Sequence, residues 1–165
     1  MMEIYILRHG IAEARRAGRD DFERRLTAEG QDKLRAVLER ARTVGVAPSL
    51  ILTSPLVRAV QTAEIAARLL GYKGKIERTE ALAPASAYLS VWKLLRGRAG
   101  ERSVLLAGHE PLLGETASYL VGCPRVCFDL KKGSLVRIDA EPAGAEPRGI
   151  LQWMLTPKLA SPGGD

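Results

Sequence analysis

The sequence predicts an α/β fold of three layers, with helices on both faces of a mostly parallel sheet that carries an antiparallel edge. Three observations lead there. Short apolar runs of strand character alternate with amphipathic helical stretches from residue 3 to residue 121. The run SVLLA at 103 to 107 is apolar without alternation, as a strand buried on both faces must be. Beyond residue 133 two strand-like runs succeed one another with only a turn region between them, the pattern of antiparallel neighbours.

The elements follow in order. Glu3 to Leu7 is a strand. Thr27 reads as the N-cap of a helix from Ala28 to Val44, with Glu29 in its first turn and Leu34, Val37, Leu38 and Ala41 on one face. Ser49 to Thr53 is a short strand, and Leu56 to Leu70 is a helix that starts after Pro55 and closes at Gly71. Ile76 to Arg78 forms a short strand, Leu82 to Pro84 a loop, and Ala87 to Leu95 a helix. After the strand Ser103 to Ala107, a helix runs from Pro111 to Val121. Ser134 to Ala140 and Ile150 to Leu155 are the closing strands, joined through EPAGAEPRG. One domain over residues 1–157 is expected, followed by a flexible tail over 158–165 that ends in SPGGD.

Composition narrows the function classes. Lys and Arg number 25 against 19 Asp and Glu, a formal charge of +6 that suits an anionic partner. Eight aromatic residues scattered along the chain provide no stacking platform, and no nucleic-acid-binding motif is present, so a nucleic-acid partner is not expected. The two cysteines, Cys123 and Cys127 in GCPRVC, lack neighbours to complete a zinc set and read as free thiols. The N-terminal apolar run is too short for a secretory signal, and no segment approaches the ~20 apolar residues of a membrane span. A cytoplasmic, monomeric protein without membrane association is the expectation.

In an open α/β sheet, ligands sit beyond the carboxyl ends of the parallel strands. Three strands here end in polar groups: Arg8, His9 and Gly10 after the first, Ser54 and Pro55 with Arg58 one turn on after the second, and Gly108, His109 and Glu110 after SVLLA. Both histidines of the chain stand at such ends. Any one of these could be an ordinary polar strand cap, but their joint occurrence with arginines, each beside a Gly or Pro, points to a site. That site is cationic and has no acidic cluster to hold a metal. Guanidinium forks match phosphate oxygens, and a neutral imidazole can take a phosphoryl group covalently, so neither metal nor cofactor is required. Arginines around the ring would stabilise the transferring group and keep the imidazole unprotonated.

These residues carry a resemblance. LRHG at 7 to 10, LTAEG at 26 to 30, SPLVRAVQTA at 54 to 63 and GHEPLL at 108 to 113 resemble the signatures of the histidine phosphatase superfamily, the phosphoglycerate mutase-like group, branch 1. ERRLT at 23 to 27, EALAP at 80 to 84 and the QWMLTP ending at 152 to 157 are similar to its SixA-type phosphohistidine phosphatases. The resemblance implies that His9 is the nucleophile that becomes phosphorylated, with Arg8, Arg58 and His109 binding the phosphoryl group. It places Arg24 in the same pocket, although Arg15, Arg16, Arg19 and Arg25 lie close enough in the chain to take its place. Ser54 and Thr62 read as capping and orienting the second helix. Larger members of the superfamily protonate the leaving group with a carboxylate on an inserted segment. Here that region is short and offers Glu77 and Glu80, of which Glu80 is the possible general acid. Ile11 stands where many relatives carry an acidic residue.

An imidazole leaving group departs readily once protonated, so an acid-poor pocket favours phosphohistidine over sugar phosphates. The expected activity is removal of phosphate from a protein phosphohistidine, such as one on a phosphotransfer domain. The alternatives are a broad phosphomonoesterase for small esters or nucleotides, and a phosphate-binding interaction module without catalysis.

Overall fold

The computed structural model describes residues 1–163. One six-stranded sheet forms its centre: β1 (Met2–Arg8), β2 (Leu50–Thr53), β3 (Glu77–Arg78), β4 (Ser103–Gly108), β5 (Leu135–Ala140) and β6 (Ile150–Leu155), in the spatial order β3-β2-β4-β1-β5-β6. The first four positions of that order are parallel, and β5 and β6 add an antiparallel edge. The expected three-layer α/β architecture is therefore the observed one.

Side chains alternate along each strand, so the sheet divides the apolar residues into two cores. On one face Ile4, Ile6, Leu52, Val104 and Leu106 pack with α3 (Tyr88–Arg96) and α4 (Leu112–Leu120). On the other, Tyr5, Leu7, Ile51 and Leu105 pack with α1 (Ala28–Thr43) and α2 (Val57–Leu69). Burial of both faces explains why β1 and β4 read as continuous apolar runs. Thr27 caps α1 as expected, its hydroxyl accepting from the Gly30 N–H at 3.0 Å, and Leu34, Val37, Leu38 and Ala41 are buried.

The differences lie where elements are short. β3 holds only Glu77 and Arg78, and the segment expected to be a loop at 82 to 84 is preceded by a 3-10 turn, Glu80–Leu82, that buries Leu82 completely. Another 3-10 turn, Asp21–Glu23, interrupts the basic loop before α1. The tail expected from Lys158 onward begins in an ordered helix, α5 (Pro157–Ala160), because Thr156 caps it and Pro157 and Ala160 pack onto the core beside α1. The last two residues of that tail, 164 and 165, lie outside the described residues. Among the described residues, no helix is long and apolar enough to cross a membrane. Cys123 and Cys127 are exposed free thiols.

Candidate active site

The parallel neighbours β2, β4 and β1 end side by side, and this alignment brings distant parts of the chain together. The His9 N–H donates to the Gly108 carbonyl at 3.0 Å, and the Ser54 N–H donates to the Ala107 carbonyl at 2.9 Å. Gly133, at φ +80°, turns the chain so that its N–H reaches the carbonyls of Arg8 and His9 at 3.2 and 3.1 Å. A side chain is disfavoured at such a φ. The start of α1 locks the next residues: the Thr27 N–H donates to the Ile11 carbonyl at 3.0 Å, and a Cβ on Gly30 would lie 2.1 Å from that same oxygen. Ile11 thus serves through its backbone.

The two histidine rings face each other with centroids 5.1 Å apart and planes tilted by 56°. His9 Nδ1 lies 2.7 Å from the carbonyl of Gly10, which can only accept, so Nδ1 carries the proton and Nε2 keeps its lone pair. Burial, reinforced by the charges of Arg58, Arg8 and Lys132, lowers the His9 pKa to about 4. Burial, together with His9, Arg58 and Arg8, lowers that of His109 to about 3. Both rings are neutral at pH 7. His109 Nε2 meets Ser54 Oγ at 2.7 Å, while its buried Nδ1 has no protein partner. Ser54 also accepts from the Leu56 N–H at 3.3 Å, so it does cap the approach to α2, and it orients His109 as well. Thr62 has two attachments: its hydroxyl donates to the Arg58 carbonyl at 2.7 Å and accepts from the Gly10 N–H at 3.2 Å, fastening α2 to the turn after His9.

Three arginines extend the positive field. Arg8 Nη1 donates to the Leu130 carbonyl at 2.5 Å, and its buried Nε is unpartnered. Arg58, 3% exposed, donates through Nη1 to the Asp21 carbonyl at 2.8 Å and through Nη2 to the Asp21 carboxylate at 3.1 Å. Its Nε is likewise buried and unpartnered. Arg24 reaches the other oxygen of the same carboxylate at 2.8 Å. Among the neighbouring arginines, Arg15 also approaches Asp21, at 3.2 Å, but its side chain is 80% exposed against 17% for Arg24. Arg16, Arg19 and Arg25 are exposed. Although burial pushes the Asp21 carboxyl upward, Arg58 and Arg24 hold it below the usual carboxylate range. An adjoining cavity of about 490 Å³ is lined by Glu13, Arg15, Arg16, Arg19, Asp21 and Arg24 among others.

The carboxylates are arranged differently from the arginines. Glu80 is exposed and, among the described residues, has no side-chain hydrogen bond or ion pair to the groups above. Glu77 is engaged by Arg98 at 2.5 Å. Burial raises the Glu110 carboxyl, whose Oε1 accepts from the Gly114 N–H at 2.7 Å and so caps α4. Among the described residues, no three His, Cys, Asp or Glu side chains group as a metal site would require. The residue that sequence reasoning missed is Asp21. The available signal was an acidic residue three positions ahead of Arg24, one of four carboxylates among the arginines of residues 12–25, a spacing that forms an ion pair here through the 3-10 turn.

Residues 4–86 match the Histidine phosphatase superfamily (branch 1). The chain belongs to that family. An uncharacterized protein of Picosynechococcus is 37% identical over 98% of this chain and all of its own length. The phosphohistidine phosphatase SixA of Escherichia coli is 28% identical over 94% of each chain. The structure of the protein histidine phosphatase SixA complexed with tungstate superimposes with a TM-score of 0.85, at 28% identity, over 94% of this chain and 97% of that one. As a member of the histidine phosphatase superfamily, the protein is a phosphatase.

Proposed function

We propose that the protein removes phosphate from a phosphohistidine carried by another protein, through a covalent phosphohistidine at His9 and without a metal ion. The observation that carries this reading is the state of His9: Nδ1 is committed to the Gly10 carbonyl, the ring is neutral, and Nε2 stands with a free lone pair among arginines. In the first step Nε2 attacks phosphorus, the new N–P bond forms, and the P–N bond to the substrate ring breaks; that ring, already protonated on its other nitrogen, takes the bonding pair and leaves as neutral imidazole. In the second step a water oxygen bonds to phosphorus, the bond to Nε2 breaks, and inorganic phosphate departs.

The unpartnered Nε atoms of Arg8 and Arg58 are donors left for the phosphoryl oxygens, and with Ser54 Oγ donating to Nε2 the neutral His109 ring offers Nδ1–H as another. Arg24 supplies further positive charge at the cavity side. The similar SixA structure is a complex with tungstate, itself a tetrahedral oxyanion. Among the described residues, no carboxylate hydrogen-bonds to either ring, and an imidazole leaving group needs a strong general acid less than an alkoxide does. The assignment of Glu80 as that acid has no geometric support and is set aside.

The test is to incubate the protein with a labelled phosphohistidine protein, quench in alkali and map the label. Label is expected on His9 and absent in His9→Ala; turnover that survives His9→Ala overturns the nucleophile. A clear preference for alkyl phosphomonoesters in a parallel panel overturns the substrate class and supports the broad phosphomonoesterase.

A further inference from the structure

We infer that Asp21 is the positioning residue of the phosphoryl site: it grips one edge of the Arg58 guanidinium and leaves the Nε edge turned to the phosphoryl oxygens. This deepens the proposed function and rests on its placing of the anion beside His9. A guanidinium offers five N–H donors in a planar fork. In Arg58 the two terminal nitrogens are both occupied by a single residue, Nη1 by the Asp21 carbonyl and Nη2 by its carboxylate. The buried Nε is the nitrogen of the group with no protein partner among the described residues.

A carboxylate competing for the anion's own place would use up the donors the anion needs. Asp21 does the opposite, since it takes the terminal atoms and leaves the inner one. It also pairs with the charge of a guanidinium whose side chain is only 4% exposed, offsetting the cost of burying that cation. The second carboxylate oxygen carries Arg24, so one side chain sets the spacing of two cations that reach it from separate elements, α2 and the loop before α1. Asp21 is itself half-buried at the rim of the cavity and belongs to a 3-10 turn whose cap, Asp20, accepts from the Phe22 N–H at 3.0 Å. The turn fixes the backbone carbonyl as well as the carboxylate.

The experiment is a double-mutant cycle between Asp21→Ala and Arg58→Ala, read by turnover of p-nitrophenyl phosphate and by calorimetric titration with inorganic phosphate. Alone, Asp21→Ala is expected to lower kcat about tenfold and to weaken phosphate binding, with Asp21→Glu recovering part of both. In the Arg58→Ala background its effect on both quantities should shrink to about threefold or less, the remainder being what acts through Arg24. Losses that multiply independently would overturn the inference. So would phosphate binding that tightens in Asp21→Ala, since that marks a competing anion. If the alanine variant folds poorly by circular dichroism, Asp21→Asn, which preserves the shape, is put through the same cycle. Neither readout uses phosphohistidine or labelling of His9, so a failed nucleophile assignment leaves the coupling measurable.

Discussion

Gly30→Ala is the substitution for which structure sets the clearest expectation. A methyl group at this position would sit 2.1 Å from the Ile11 carbonyl oxygen and 2.8 Å from the Ile11 nitrogen, both backbone atoms. Ordinary contact begins near 3.4 Å, so α1 and the turn after β1 must separate by about 1 Å, a shift whose cost as overpacking is ~1–3 kcal/mol. Alanine's better helix propensity returns at most ~1 kcal/mol. With that full gain the expected net loss of stability is about 0–2 kcal/mol. The effect on rate should be larger, because the displaced segment is continuous with Gly10, whose carbonyl holds His9 Nδ1. A misplacement of about 1 Å at a reacting group can cost as much as ~100-fold. Urea unfolding and kcat for p-nitrophenyl phosphate measure the two parts, with Gly100→Ala as a control, since a Cβ there meets nothing within 4 Å. A Gly30→Ala protein as stable as the parent, with kcat within about twofold, would refute the reasoning that α1 sets the position of His9.

Other outcomes follow from the same geometry. Since only neutral His9 can attack, kcat should hold down to about pH 4 and fall below it; an acid limb centred near the ordinary histidine value would contradict the buried, arginine-flanked ring. Stability has a related pH dependence. Above the unfolded value of ~6.5 both states hold His9 and His109 neutral, and as pH falls toward about 4 and about 3 the unfolded chain takes up protons first, so stability is lost through that window. Replacing His109 with Gln should flatten this slope in pH-dependent melting. Ser54→Ala removes the partner of His109 Nε2 and should cost ~1–2 kcal/mol of stability and about tenfold in kcat; an unchanged kcat would show that His109 needs no orienting partner. Arg58→Ala should lose roughly 3 kcal/mol of transition-state stabilisation, far more than it loses in denaturant midpoint. EDTA should leave the rate of the purified protein unchanged, and dependence on an added divalent ion would contradict the metal-free reaction.

Much of this arrangement was legible because it rests on periodicity and on strand ends. SVLLA and the α1 pattern of Leu34, Val37, Leu38 and Ala41 are long enough for burial to leave a repeating mark, and β1 and β4 place His9 and His109 wherever the strands stop. Asp21 left no such mark. Its role depends on how an irregular loop folds back onto α2, and nothing in the local sequence ties it to Arg58, 37 positions later. The reverse holds for Glu80, which stands at a suggestive place in the chain and is exposed in space. The short helix α5 was hidden for a related reason: four residues carry no period, and Thr156 at the cap with Pro157 at the first helical position is all that announces them.

The position of β1 within the sheet also bears on how the protein is made. The strand that presents His9 is synthesised first, yet its neighbours on either side are β4 and β5, so Glu3 finds Ser103 on one side and Asp139 on the other. Such pairings close long loops before they are rewarded and form late. A nascent chain that has emitted β1, α1, β2 and α2 already contains His9, Arg24 and Arg58 but has nothing to hold β1 in register. Competence therefore waits until β4 and β5 have been made and can close on β1 from either side.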